Sequence, residues 1–342
     1  VLGAIGLILL IIVGLDAVGE FVEEIGDVSD TYTFGQVALY VMLTLPGRFY
    51  EFIPFAALIG CLMGLGQLAS SSELVVMRAA GVSTGRLVWI AMKPALLVAV
   101  LGFLTGEYVA PLSDQIAERH RSLAQDPESL SKGGRGLWNR EGDTFLHFNA
   151  LDAEGVVYGV RLLQFDQGLE LRSALRAARA IYRGDHWLLE NVAKTDFSSW
   201  ETTRTSHDQL RWDTGITPDI LTIEVVAPSQ LSISDLYRYS RYLTQQGLDS
   251  DDYQLALWNK LLQPAAVGAL VLVAISFVFG PLREGTMGFR IFTGVLIGIV
   301  FSTSQDLLGP ASLVFGFPPI YAAIIPTGIC FVAGVLLLRR AG

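Results

Sequence analysis

Six runs in this chain are apolar over nearly the length a helix needs to cross a bilayer, about 20 residues, and they fall in two sets of three around the polar stretch 126–252. Hydrocarbon holds no water to satisfy a free N–H or C=O, so such runs have to cross as helices that close their own hydrogen bonds. The expected spans are Val1 to Leu15, Phe34 to Leu68, a third through Leu96–Phe103 towards Pro111, Tyr253 to Gly280, Phe289 to Leu308 and Pro319 to Leu338. The first is apolar from its first residue and lacks the basic flank and cleavage site of a signal peptide. It reads as a membrane helix whose leading end lies outside this chain. The fold class that follows is an α-helical membrane protein with six transmembrane helices plus an inserted all-β, jellyroll-like domain. Its parts are residues 1–125 (helices 1–3), 126–230 (the β domain), 231–252 (a linker helix) and 253–342 (helices 4–6).

Within the spans, Pro46 and Pro54 should divide or kink the long second run, because proline removes a helix hydrogen bond. Arg48 and Glu51, three apart, can pair, and Gly60, Gly64 and Gly66 leave a smooth face for a close-packed helix. Cys61 and Cys330 lie in apolar runs and read as small hydrophobes. The polar region alternates as strands do: Leu169, Leu171, Ser173 and Leu175 interleave with Glu170, Arg172, Ala174 and Arg176. Thr144–Phe148, Val156–Phe165, Trp187–Val192 and Ile220–Val226 are further strand candidates, with turns at Glu154-Gly155, Gln167-Gly168 and Gly184-Asp185. Ser232 or Ser234 can cap a helix through Leu236, Tyr239, Tyr242 and Leu243. Arg238 and Arg241 among those aromatics fit a membrane-surface helix or a packed linker equally.

One short stretch stands apart, Ser70-Ser71-Ser72-Glu73-Leu74-Val75-Val76-Met77-Arg78-Ala79-Ala80-Gly81, between the second and third spans. Ser72 can cap a helix, Glu73 suits its positive end and Gly81 its exit turn. A helix of about two turns is unstable alone in water, so it needs a surface to rest on. It is either an interfacial loop helix or a docking element with an exposed Leu74/Val75/Met77 face.

Basic residues set the orientation. Arg78, Arg86, Arg283, Arg290, Arg339 and Arg340 sit in short connections or at the end, whereas the first loop carries Asp16, Glu20, Glu23, Glu24, Asp27 and Asp30. By the positive-inside rule the 70–86 and 281–290 connections face the cytoplasm and the β domain faces away from it. The net charge of −9 argues against nucleic acid as a partner. Gly-Lys does not occur, so no Walker A loop can form, and His120, His147, His186 and His207 have no metal-ligand spacing. Asp306 is the acid near the end of the fifth span, either an interfacial carboxylate or the coupling site of an ion-driven carrier.

Several motifs in order, Ser72–Gly81, Gly106-Glu107-Tyr108-Val109-Ala110-Pro111, Leu231-Ser232-Ile233-Ser234 and Ser276-Phe277-Val278-Phe279-Gly280-Pro281-Leu282-Arg283, resemble the LptF/LptG family of lipopolysaccharide-export permeases. The resemblance covers essentially the whole chain. With Trp258-Asn259-Lys260 and Phe279–Arg283, it is closer to the LptG than to the LptF branch. It implies an ABC exporter subunit of the bacterial inner membrane that is not itself an enzyme and binds no cofactor. ATP and Mg would be used by two copies of a separate LptB-type ATPase. The other implied partners are an LptF-type sister permease, an LptC-type single-span jellyroll protein and lipopolysaccharide, with the β domain in the periplasm.

By the same resemblance Glu73, Leu74, Val75, Met77 and Arg78 form the coupling helix, with Glu73 and Arg78 setting its register and Leu74 and Met77 supplying buried area. An apolar cavity for acyl chains would draw on Phe21, Val22, Phe52, Phe55, Phe301 and Leu308. Arg119 and Arg121 would meet phosphate at the outer rim, where paired guanidinium donors suit it. The family tends to carry a lysine at the outer end of the first helix. Here Glu20, Glu23 and Glu24 stand there, and a divalent cation bridging them to phosphate is one reading. The alternatives are an ion-coupled secondary lipid transporter using Asp306 and a non-transporting membrane anchor.

Overall fold

The computed structural model describes the chain apart from residues 30, 126–136, 152–154, 167, 198–200, 219–220, 222–225, 281–285 and 342. Glu154, Gln167, Arg283 and most of the expected strand Ile220–Val226 therefore lie outside the described residues, as does the side chain of Val75. The chain divides into a membrane unit (Val1–Arg121, Pro228–Arg241, Asp249–Gly342) and an insert (Ser122–Ala227, Tyr242–Leu248).

In the membrane unit, six stretches are long and apolar enough to cross a bilayer. They are α1 (Leu2–Ile25), α2 (Phe34–Ser70), the run of α4 (Thr84–Leu104) through a π-turn (Thr105–Val109) into α5 (Ala110–Gln125), α7 (Asp251–Phe279), α8 (Met287–Phe315) and α9 (Pro319–Ala341). Two shorter α-helices are also described, α3 (Glu73–Ala79) after α2 and α6 (Ile233–Gln245) before α7. The core lies where α2, α4 and α7 meet: Leu58, Cys61 and Leu62 pack with Leu87, Ala91, Ala95 and Ala99 and with Leu270, Val271, Ala274 and Ile275. Alanine every fourth residue gives α4 a narrow face, which lets these helices approach closely.

Pro46 and Pro54 do not divide α2, which is one helix of 37 residues. Proline at 54 leaves the carbonyl of Tyr50 without its helical donor, and Gln263 Nε2 of α7 supplies one at 2.7 Å. The glycine face behaves as its spacing predicts. A Cβ on Gly60 would lie 2.5 Å from Ile5 Cα, and one on Gly64 would lie 2.8 Å from Val1 Cα, so α1 rests on bare α2 backbone. Arg290, expected in a cytoplasmic connection, is instead buried in the first turn of α8, where it donates to the carbonyl of Gly66. That carbonyl is reachable because residue 66 has no side chain in the way.

The insert is an antiparallel sheet in the order β1-β2-β4-β5-β6-β7, with β3 paired to β4. Strands β2 (Thr144–Phe148) and β4 (Val156–Phe165) fall where alternation placed them, and β6 (Trp187–Phe197) extends the expected one. Strand β5 (Leu171–Tyr182) starts later than its leucines implied: Leu169 sits at φ 60 in the turn, 75% exposed. Strands β1 (Leu137–Glu141), β3 (Ala150–Leu151) and β7 (Thr202–Trp212) were not expected from the pattern. Of these, β1 and β7 are the edge strands, and β7 is polar, charged and largely exposed, which suits an open edge.

One feature of the sheet explains its core. In β4 the buried residue is Val157 before Gly159 and Val160 and Leu162 after it, so the inward face changes parity. Strand β5 changes likewise between Ala180 and Ala177, and β6 between Leu189 and Val192. Gly159 at φ 65 and Asn191 at φ 53 stand at these changes, where the pairing pauses and then resumes in the same register. The three strands thus change their inward face together and keep one apolar side, around Trp187, whose Nε1 donates to the carbonyl of Ile216 at 2.7 Å. The register shift of this sheet lies elsewhere, between Gln164 and Phe165.

Candidate functional site

Two regions of the membrane unit carry the residues singled out in the sequence. At one end is α3. Ser72, expected as its cap, occupies the preceding position at φ 63 and its hydroxyl makes no capping bond. Only a left-handed residue lets the chain turn from α2 into α3 in so few steps, and the neighbouring Ser71 Oγ bonds Glu73 Oε1 at 2.9 Å instead. The exit is as expected. Gly81 stands at φ 85, Val82 N–H reaches the carbonyl of Met77 at 3.1 Å, and Gly81 N–H that of Arg78 at 3.0 Å.

The exposed face of α3 differs from expectation. Leu74 is buried in the core with Leu87 and Phe279, and Met77 packs against the same cluster. Three residues apart, they share one side of the helix, and that side faces the chain's own bundle. The outward groups are Glu73, Val76 and Arg78, with Val76 64% exposed. Leu74 and Met77 therefore anchor the helix, and they offer no outward apolar surface. Seven residues become a fixed projection because the anchor supplies the packing that their own hydrogen bonds cannot.

At the other end the acids of α1 form a ladder matched by two arginines. Arg48 of α2 lies against Glu20 and reaches Asp16 at 3.4 Å and Glu51 at 3.8 Å. Arg121 of α5 holds buried Glu24 at 2.9 and 3.2 Å and Asp27 at 3.5 Å, with the Tyr40 ring centre 5.4 Å from its guanidinium. Tyr32, in the α1–α2 loop, donates its hydroxyl to Glu24 at 3.0 Å. Burial, then that bond to a carboxylate, pushes the Tyr32 hydroxyl above its ordinary pKa. Two of the acids read as a cation bridge, Glu20 and Glu24, have guanidinium groups from neighbouring helices as counter-charges, and no cluster of three metal-type ligands occurs among the described residues.

The remaining candidates are distributed unevenly. Arg119 and Val22 are exposed, whereas Phe21 and Leu308 are half-buried. Phe52 and Phe55, also half-buried, have ring centres 6.4 Å apart. Phe301 is buried in the core at 4% exposure and acts there as packing. Asp306 is exposed on α8, with Ser302 Oγ donating to it at 3.3 Å from the preceding turn. Sequence reasoning gave Arg48 its near partner Glu51 and missed the remote ones, Asp16 and Glu20, as it missed Glu24 for Arg121 and the burial of Arg290. Glu20 and Arg48 are 28 residues apart and Glu24 and Arg121 97 apart, so no local spacing joins them.

Six membrane-length helices, a β insert between the third and fourth, and an anchored projection between the second and third fit a multi-pass membrane protein. Residues 1–340 match the family described as "Lipopolysaccharide export system permease LptF/LptG", and the chain belongs to that family. It is 35% identical over 336 residues to the lipopolysaccharide export system permease protein LptG of Escherichia coli K12, covering 97% of this chain and 93% of that protein. Against the protein of the same name from Haemophilus influenzae it is 36% identical over 343 residues, covering 99% and 96%. Both relatives are named as permeases of an export system and not as enzymes.

Proposed function

We propose that this chain is a transmembrane permease subunit of an ATP-driven exporter that extracts lipopolysaccharide from the inner membrane towards a periplasmic bridge. The observation that carries the reading is α3, a short helix pinned to the membrane core by Leu74 and Met77 with Glu73, Val76 and Arg78 turned outward. A projection rigidly joined to α2 and α4 can pass a push from a separate LptB-type ATPase into those helices. By the positive-inside rule α3 would lie in the cytoplasm and the insert in the periplasm. An LptF-type sister permease would cover the exposed apolar faces of α1 and α8, where Leu10, Leu15, Val18, Phe292, Ile299 and Val300 are all more than half exposed. An LptC-type protein would continue the lipid path.

Acyl chains would rest on Val22, Phe21, Phe52, Phe55 and Leu308, and Arg119 would face a lipid phosphate. Arg121 would join it only by leaving Glu24. The exposed position of Asp306 favours the ATP-driven reading over an ion-coupled carrier, whose coupling acid should be buried.

The test is Glu73→Lys, alone and with Val76→Asp, in the complex with the ATPase. Membrane insertion should persist while ATPase stimulation and lipopolysaccharide release both fall. Full release by the double variant would remove α3 from the mechanism.

A further inference from the structure

Three of the family-like motifs, Gly106–Pro111, Leu231–Ser234 and Trp258–Lys260, belong neither to α3 nor to the arginine ladder, and they meet at one place in the membrane unit. Glu107 lies on the π-turn Thr105–Val109, an interruption of a kind often found where a helix does more than span. Its carboxylate accepts from the N–H of Ile233 at 2.7 Å, and from the N–H and hydroxyl of Ser234 at 3.4 and 3.0 Å. Ser232 Oγ takes the next N–H, that of Asp235, at 3.1 Å. The first N–H groups of a helix have no partner inside it, and here a carboxylate from another helix holds two of them.

Lys260 of α7 grips the same turn from its other end. It is buried, donates to the carbonyl of Leu231 at 2.6 Å, and lies 5.7 Å from the Tyr50 ring centre. Gly106 makes the approach possible, since a Cβ there would collide with that ring. An ordinary cap needs only the local serine, which is already in use. The two charged tethers are additional, and they come from two membrane helices. The turn they hold follows closely in the chain on the long segment of the insert, which ends at Ala227, and Pro228–Arg241 cluster with the membrane unit.

We propose that Glu107 is a positioning residue that latches the first turn of α6 to the π-turn, so that the returning end of the β insert follows the third membrane helix as the bundle rearranges. The proposal rests on the exporter reading above. Its test uses the complex with sister permease and ATPase in lipid vesicles, comparing Glu107→Ala, Ser234→Ala and Glu107→Gln. Amide hydrogen exchange is followed at residues 233–235, beside ATP hydrolysis and release of lipopolysaccharide. In Glu107→Ala, exchange there should rise about tenfold or more, the scale of a lost charged hydrogen bond. Release should fall severalfold while ATP hydrolysis continues.

Glu107→Gln, whose amide oxygen still accepts, should recover part of both, and Ser234→Ala should move both the same way by less. Unchanged exchange in Glu107→Ala overturns the latch, and faster exchange with full release overturns the positioning role. Should Glu107→Ala not assemble, the milder pair decides by the same readouts. A wild-type complex that releases no lipid defeats the exporter reading and the positioning role with it, while exchange still judges the contact by itself.

Discussion

Replacing Gly60 by alanine should loosen α1 from the rest of the membrane unit. The added Cβ would lie 2.5 Å from Ile5 Cα and 2.7 Å from its backbone nitrogen, and backbone atoms cannot swing aside as a side-chain tip can. Carbon atoms rest at about 3.5–4.0 Å, so α1 has to retreat by roughly 1 Å, a gap that forfeits a quarter to half of the contact attraction along the seam. Overfilling a packed site in this way costs about 1–3 kcal/mol, or roughly 5- to 150-fold in the population with α1 detached.

The loss is concentrated there because the outer part of α1 keeps its ties to Arg48 and Arg121. Spin labels on the exposed positions Leu10 and Met42, in a background without Cys61 and Cys330, report the α1–α2 distance in lipid. The distance distribution should broaden towards longer values in Gly60→Ala and further in Gly60→Val. Gly3→Ala, where a Cβ meets nothing within 4 Å, is the control and should leave it unchanged. A Gly60→Ala distribution that superimposes on wild type would refute the claim that bare backbone contact holds α1 in place.

Gln263→Leu should cost about 1–3 kcal/mol in thermal unfolding by stranding the Tyr50 carbonyl, and much less in a Pro54→Ala background, where the helix regains its own donor. Leu74→Ala should expose the 70–83 segment to proteolysis, with a packing loss of about 2–5 kcal/mol. Val76→Ala should leave stability within about 0.5 kcal/mol, yet weaken ATPase association. Tyr32→Phe should remove a contribution that depends on a protonated hydroxyl. Because the folded-state pKa is raised, that contribution is whole below the ordinary value of 10.0 and fades as pH rises beyond it. The stability gap between wild type and Tyr32→Phe, followed by chemical denaturation, should therefore be constant near neutrality and shrink only in strong alkali.

The six spans and the inner strands were legible because their signal is local: an apolar run of bilayer length, or alternation along Thr144–Phe148 and Val156–Phe165. The glycine face of α2 was legible for the same reason, since four-residue spacing puts Gly60 and Gly64 on one side of any helix. The candidate site was only half legible. Composition marked α3 as amphipathic but could not say whether Leu74 and Met77 looked inward, because both a core and a partner attract the same side chains. The acids of α1 read as bare charge because Arg48 and Arg121 are remote in sequence.

What the sequence by itself determined is how many helices are long and apolar enough to cross a membrane, where the strands Thr144–Phe148 and Val156–Phe165 lie and which family the chain resembles, all carried by patterns within single elements. Tertiary structure alone decided that Arg290 is buried on a backbone carbonyl, that three neighbouring strands change their inward face together, and that Glu107 finds its partners more than a hundred residues away. Each of these depends on groups that meet only after helices and strands have packed, and a buried charge is tolerable only where a distant neighbour completes it.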